Sequence, residues 1–171
     1  MPLTCTISPH RPLLLPRTAP ILFWHASHAQ GYLFASVMLH EGHDLMKVVI
    51  QAIKNDLCTK SKITVCLALN CVANIGGKET AREVSGNVMR LLVAAQSKTD
   101  VQRKAALCML QFLRQSPEEF PHGDHTATLI QLLTNPDMGL VTCVASLLTT
   151  LSARDPAECV TMAIAAGPCC L

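Results

Sequence analysis

A spacing of about 38 residues that recurs along the chain limits its possible folds more than any other sequence feature. Three pairs of apolar residues show it, namely Ala68-Leu69, Ala106-Leu107 and Val144-Ala145. The positions four and seven residues after the start of each pair are also apolar in all three copies. Self-similarity at such a period is typical of proteins built from stacked structural units. We therefore predict a repeat array; the alternative is a plain helical bundle whose spacing arises by chance.

The apolar positions within each copy indicate a helix. In the first and third copies they follow a 3-4-3 spacing, which lies on one face of a helix. These stripes are Val65, Ala68, Val72 and Ile75, and Val141, Val144, Leu148 and Leu151. The middle copy departs once, with Arg103 at the first stripe position. A second helix in each unit matches less well, although Leu91 and Leu129 keep the offset.

Turn and capping residues predict where the helices begin and end. We expect Asp44 to cap a helix through Leu57, and Ser61 to cap one that ends at Ile75 before a Gly76-Gly77 stop. Further helices are predicted over 78–95, with a break at 85–87, over 99–114 and over 126–134. The next predicted helix is capped by Asn135-Pro136 and runs to about 153. A last helix is predicted to follow Asp155-Pro156 and to end at Gly167-Pro168.

The predicted fold class is all-α, a HEAT/armadillo-like helical solenoid of about three to four helix pairs. Only 4% of the residues are aromatic, while half are apolar, and no segment shows strand alternation. The period lies close to the roughly 40–47 residues of HEAT and armadillo units, and the marker residues of tetratricopeptide and ankyrin repeats are missing. Stacked helix pairs form long surfaces, so a protein-binding scaffold is the expected role.

The two ends of the chain differ from the repeat region. Five of the ten prolines lie in residues 1–30, and the first acidic residue is Glu41. We predict a disordered N-terminal extension over 1–30, a helical-repeat segment over 31–166 and a short tail over 167–171. A cleaved leader ending near Ala29 is the alternative, but Pro16 and Pro20 interrupt its apolar stretch.

The nine cysteines and the net charge restrict the classes of protein to which the chain can belong. An odd number of irregularly spaced cysteines, several of them on apolar helix faces, indicates free thiols in a reducing compartment. Cys66 and Cys71 lie on different faces of one helix, so they are expected to form neither a disulfide nor half of a zinc site, and core packing is the expected role. The net charge of +2 is small and its cations are scattered, so nucleic acid is not an expected partner. No apolar run is long enough to span a membrane.

Two histidine-rich turns are the most metal-like stretches. His40 and His43 lie in one turn, and His122 and His125 lie in another. Zinc needs three or four converging ligands, and neither turn has the His-Glu-x-x-His spacing. We therefore predict no metal, cofactor or catalytic residue, and keep a zinc-dependent hydrolase that uses these four histidines as an alternative.

Other short motifs resolve into structural features. Gly76-Gly77-Lys78 lacks the first glycine and the Ser/Thr of a phosphate-binding loop, so it is expected to end a helix. Cys169-Cys170-Leu171 does not have the cysteine position that prenylation requires. Five lysines in one third of the chain could face lipid headgroups or partner acids, or simply solvent. They are Lys47, Lys54, Lys60, Lys62 and Lys78.

Several segments resemble the trunk of the adaptins, the large subunits of clathrin adaptor complexes. They are residues 31–34 (GYLF), 52–57 (AIKNDL), 67–76 (LALNCVANIG) and 105–110 (AALCML). Residues 114–119 (RQSPEE), the 123–124 turn and residues 139–151 are similar to the alpha class more than to the gamma class. The resemblance extends from about residue 31 to 160.

The resemblance implies a non-enzymatic scaffold for adaptor assembly in clathrin-mediated endocytosis and intracellular protein transport. Implied partners are a small sigma-type subunit, a medium subunit and a second large subunit, with membrane contact only through the complex. The implied location is the cytoplasm, at plasma-membrane coated pits when assembled. In the family, the lipid-binding and cargo-binding residues precede the segment that matches residues 31–34. Residues 1–30 match no such region, so we assign no lipid or cargo residue and expect a partial large subunit.

A HEAT/armadillo scaffold of another pathway is the remaining alternative. It would share the helical repeat but not the adaptor partners. An isolated portion of a solenoid is also expected to expose apolar faces and to be poorly soluble.

Overall fold

The computed structural model describes residues 19–39, 42–94, 97–121 and 125–154; for residues 19–27 and 126 it describes the backbone alone. Within these ranges the chain forms seven α-helices and no strand, which confirms the all-α prediction. The helices are α1 (Ala19–Met38), α2 (Met46–Leu57), α3 (Lys62–Ile75), α4 (Lys78–Val93), α5 (Thr99–Gln115), α6 (Thr126–Leu132) and α7 (Met138–Arg154). A single 3-10 turn, Pro117–Glu119, follows α5.

The helices pack in two layers. In the first layer α1 packs on α3, α3 on α5 and α5 on α7. In the second layer α2 packs on α4, and α4 contacts the 3-10 turn. The layers are joined by α2 against α3, α4 against α5 and α6 against α7. This stacking of helix pairs is a HEAT/armadillo-like solenoid, as predicted, with three pairs and one further helix among the described residues.

The repeated apolar positions form the core. Ala68, Ala106 and Val144 are fully buried at the same place in α3, α5 and α7. Leu113 and Leu151 are also buried, and Ile75 packs against the core. Because each helix pair has an apolar face that only its neighbours cover, the sequence period and the stacking period coincide.

Both predicted boundaries of α3 are confirmed. The Ser61 hydroxyl accepts a hydrogen bond from the Thr64 N–H at 3.4 Å, so Ser61 caps α3. The helix α3 ends at Ile75, and Gly76 and Gly77 follow with φ values of 59° and 87°. A positive φ suits glycine because it has no Cβ, which explains the sharp turn into α4.

Other predicted boundaries are wrong. Asp44 does not cap α2, which begins at Met46 with no side-chain cap on its preceding residue. The expected break at 85–87 is absent, because Gly86 lies within continuous helix α4. Asp137, rather than Asn135, caps α7 through a 3.0 Å hydrogen bond from the Leu140 N–H. The Asn135 side chain instead accepts from the Asp137 N–H at 3.0 Å and shapes the turn.

The helix α1 begins at Ala19 and crosses the boundary expected near residue 30. This differs from the disorder predicted for residues 1–30, since 19–30 are helical; the division into 1–30, 31–166 and 167–171 otherwise stays a prediction. The last predicted helix, the tail and Cys169-Cys170 lie outside the described residues. On α1, Phe34, Val37 and Met38 are each more than half exposed.

No helix in the described part of the chain is both long enough and apolar enough to cross a membrane.

Candidate protein-interaction surface

The outer side of α3 forms a ridge between two grooves. Ile63, Leu67, Asn70 and Asn74 follow a 4-3-4 spacing, which places them along one side of the helix. That side faces away from the buried Val65, Ala68 and Val72 stripe. Ile63 is 54% exposed, although it is a large apolar residue. The ridge therefore presents apolar side chains at one end and amides at the other.

The first groove lies between α1 and α3 and has a volume of about 270 Å³. Leu33, Ser36 and Tyr32 line it from α1, and Leu67 and Asn70 line it from α3. Leu33 is 66% exposed at its rim. The groove thus has both apolar and polar side chains along its walls and is open to solvent.

The second groove, also about 270 Å³, lies on the other side of the ridge, between α3 and α5. Its lining includes Cys66, Lys62 and Lys104. The Lys104 ammonium donates to the Asn70 side-chain oxygen at 2.7 Å. Burial raises the pKa of the Cys66 thiol, and the two nearby ammonium groups oppose that rise. Neither groove has a carboxylate among its described lining residues.

Three of the five clustered lysines form ion pairs between neighbouring elements. Lys54 pairs with Glu83, Lys62 with Asp100, and Lys78 with Glu118 at 2.7 Å. Each pairing lowers the pKa of its carboxyl group through hydrogen bonding and charge. The lipid-facing or partner-facing alternative is therefore weakened for these three lysines, because their ammonium groups pair with carboxylates of neighbouring elements. Lys47 and Lys60 are exposed.

Further polar contacts join consecutive repeats. Arg82 donates to Glu119 at 2.9 Å, and the Gln115 side-chain oxygen accepts from the Gly77 N–H at 3.1 Å. The Cys108 thiol donates to the Leu69 carbonyl at 2.9 Å. These contacts join residues 37–39 positions apart, so they tie each unit to the next.

A third groove, about 490 Å³, lies between α1 and α2 and holds a small polar cluster. The Tyr32 hydroxyl donates to Asp56 Oδ2, and His28 Nδ1 lies 3.2 Å from the same oxygen. Burial, and then the hydrogen bond to Asp56, raise the pKa of Tyr32. These contacts join α1 to α2 through the Asp56 carboxylate.

The zinc alternative uses four histidines, and two of them, His40 and His122, lie outside the described residues. His43 precedes α2, where its Nδ1 accepts from the Leu45 N–H at 3.2 Å, and His125 precedes α6. Among the described residues, no group of three or more His, Cys, Asp or Glu side chains could hold a metal ion. Cys71 is buried and Cys66 half-buried, and both are free thiols.

A family comparison identifies this solenoid. Residues 30–165 match the family described as the Adaptin N terminal region. The chain belongs to the adaptin family. The matched segment contains α2 to α7 and the last nine residues of α1, so the family match covers most of the described solenoid.

Several relatives are subunits of adaptor protein (AP) complexes. The chain is 36% identical over 121 residues to AP-2 complex subunit alpha-1 of Arabidopsis thaliana, covering 71% of this chain and 12% of the relative. It is 30% identical to AP-2 complex subunit alpha of Schizosaccharomyces pombe, covering 80% and 17%. AP-1 complex subunit gamma-1 of Mycosarcoma maydis is 32% identical, covering 73% and 14%. The resemblance to the alpha class is confirmed, and the chain spans less than a fifth of these relatives.

The ridge and its grooves were not predicted from the sequence. A signal was present, because Ile63 and Leu67 are apolar residues outside the 3-4-3 core stripe of α3. Apolar residues on a second side of a helix indicate either another buried contact or an interaction surface. The tertiary structure decides between these two possibilities, because α1 and α5 pack on α3 in a way that leaves that side open.

Proposed function

We propose that this adaptin-family chain acts as a non-enzymatic scaffold within a clathrin-adaptor large subunit. Its work is assembly of the adaptor complex in clathrin-mediated endocytosis and intracellular protein transport. The observation that carries the proposal is the adaptin match over residues 30–165, which coincides with a stacked helical solenoid. Relatives that are AP-2 alpha subunits support the endocytic branch.

The partners in this proposal are the small sigma-type subunit, the medium subunit and the second large subunit. The location is the cytoplasm, at plasma-membrane clathrin-coated pits when the complex is assembled. Membrane contact is indirect, through other parts of the complex. Three of the clustered lysines support this indirect role, because their ammonium groups pair with carboxylates on neighbouring elements.

Co-expression with a sigma-type small subunit of the plasma-membrane complex tests the proposal. We expect the affinity-tagged chain to retain that subunit through gel filtration at physiological salt. A tagged helical-repeat protein of similar length from an unrelated pathway serves as the matched control. Failure of the folded chain to retain the small subunit would favour a HEAT/armadillo scaffold of another pathway.

A metal measurement separates the scaffold from the zinc hydrolase hypothesis. Purified chain is analysed for zinc by mass spectrometry, beside a variant with His40, His43, His122 and His125 changed to alanine. The scaffold predicts less than one zinc per chain and no difference between the two proteins. Stoichiometric zinc that disappears in the variant would contradict the proposal.

A further inference from the structure

We infer that the ridge surface binds an acidic amphipathic helix of a partner protein. The ridge surface is defined by six residues: Leu33, Ile63, Leu67, Asn70, Asn74 and Lys104. The inference rests on the proposed scaffold role and adds the chemistry of the partner segment. It follows from the charge, the apolar exposure and the groove geometry of this surface.

Charge is the first argument. Most cations that join neighbouring elements pair with a carboxylate, as Lys62 does with Asp100 and Arg103 with Asp137. Lys104 instead donates to the neutral amide of Asn70, and no described carboxylate lies within ion-pair distance of it. Its ammonium therefore faces the groove without an ion-pair partner among the described residues. A carboxylate from outside would complete the pairing that the other cations already have.

Apolar exposure is the second argument. Leu33 is 66% exposed and Ile63 is 54% exposed, and both border grooves that Leu67 lines. Apolar side chains that line grooves beside polar groups are typical of protein-interaction sites. Lys104 and Asn70 form the polar edge, so the occupant must carry leucine-like and acidic side chains together.

Groove geometry is the third argument. The two grooves lie on either side of a helical ridge and share Leu67 and Asn70 as lining residues. Grooves between packed helices accept the side-chain ridges of another helix. The described surface offers no strand edge, so an added strand has nothing to pair with, whereas a helix lays its apolar face into such grooves.

A synthetic probe peptide tests the inference. It is about 18 residues long, roughly 27 Å as a helix, with leucine on one face and glutamate on the other. Its counterpart has lysine in place of every glutamate. Binding of each fluorescent peptide to the full chain is measured by anisotropy. We expect the glutamate peptide to bind more tightly, and its affinity to fall with added salt because surface charge is screened.

Matched variants locate the binding site. Lys104→Glu and Ile63→Ser are each expected to weaken binding of the glutamate peptide by roughly five- to tenfold. Lys47→Glu and Val48→Ser are the controls, since Lys47 is exposed and Val48 is 66% exposed on α2 in the other layer. Lys104→Arg keeps the charge and should retain affinity. Lys104→Gln removes the charge without adding a carboxylate, and circular dichroism checks the fold of each variant.

Several outcomes would overturn the inference. They are equal binding of the two peptides, or equal losses in the ridge and α2 variants. Binding to phosphatidylserine vesicles that depends on Lys104, without peptide binding, would assign the surface to a lipid instead. If the small subunit is retained while the glutamate peptide fails to bind, the ridge inference is wrong and the scaffold proposal stands.

Discussion

Arg103 reaches from α5 to Asp137 at the start of α7, with 2.8 Å between Nη2 and Oδ2. The other carboxylate oxygen of Asp137 accepts from the Leu140 N–H, so one side chain caps α7 and binds the preceding repeat. Those contacts lower the pKa of Asp137, the Leu140 hydrogen bond most of all. Gly139 leaves room for this contact, since a Cβ there would lie 2.9 Å from Arg103 Nε. Arg103, the one residue that departs from the repeated apolar stripe, thus forms a contact between repeats.

Substitution of Asp137 should separate the cap from the ion pair. Asp137→Ala removes both and is expected to lower the free energy of unfolding by about 1–2 kcal/mol. Asp137→Asn keeps a good capping oxygen and loses the charge, so the expected loss is smaller than that of Asp137→Ala. Urea unfolding followed by circular dichroism measures both. Equal losses in the two variants would mean that the cap contributes nothing measurable.

Two glycine substitutions should act in opposite directions. Gly76→Ala is expected to destabilise the fold by about 1–3 kcal/mol, because φ of 59° with ψ of −147° is a conformation that only glycine adopts easily. The added Cβ would also clash with the side-chain oxygen of Gln115 and displace that side chain.

Gly86→Ala is the matched control for that change. Gly86 is exposed within α4, and nothing lies within 4 Å of its Cβ position. Alanine there is expected to stabilise the helix by about 1 kcal/mol. Thermal unfolding of both variants gives the comparison, and a loss of stability in Gly86→Ala would contradict the continuous α4.

Acid should weaken the contacts between repeats. The ion pairs of Glu83, Asp100 and Glu118 hold the pKa of each carboxyl below its usual value. A lowered folded-state pKa gives stability that is present above the unfolded value of about 4 and is lost as pH falls through the lower folded value. The free energy of unfolding is therefore expected to fall below about pH 4.

The triple variant Glu83→Gln, Asp100→Asn and Glu118→Gln tests the origin of that acid sensitivity. Its free energy of unfolding should depend less on pH between about 4 and 2.5 than that of the unsubstituted chain. The difference between the proteins should shrink at high salt, since exposed pairs are screened. Parallel pH profiles would show that these pairs do not couple to folding.

The cysteines should differ in reactivity according to their burial. Cys58 is exposed, whereas burial raises the pKa of Cys71 and of Cys108 to about 12. Because the thiolate is the nucleophile, Cys58 should react with a maleimide at pH 7 before Cys71 and Cys108, which should react only after unfolding. Peptide mass spectrometry measures each rate. Equal rates in the native protein would contradict the described burial; equal rates in urea are the control.

The helix ends show how far local sequence signals reach. Ser61 and Gly76-Gly77 were predicted correctly because a cap and a positive-φ stop act within a few residues of the chain. The break at Gly86 was predicted wrongly, because packing of α4 against α2 and α5 outweighs the cost of one helical glycine of about 1 kcal/mol. Asp44 was a plausible cap by residue type, but the backbone begins α2 at Met46.

The interaction surface was harder to predict from the sequence than the helix ends. Leu69 and Leu107 occupy equivalent positions in the repeat, yet Leu69 is fully buried and Leu107 is 46% exposed. The repeat predicts the same environment for both, because it carries no information about which neighbours reach each copy. For the same reason, the sequence did not predict that Arg103 pairs with Asp137 or that Lys104 has no ion-pair partner among the described residues.

The sequence by itself determined the helical class, the repeat and the adaptin resemblance, because periodic apolar residues and local turn chemistry act along the chain. Only the tertiary structure decided which lysines are paired, which apolar side of α3 stays open and where Asp137 finds its second partner. Those outcomes depend on contacts between residues about one repeat apart, such as Lys62 with Asp100. Distance in space between such residues is set by how the helix pairs stack, and local sequence does not encode it.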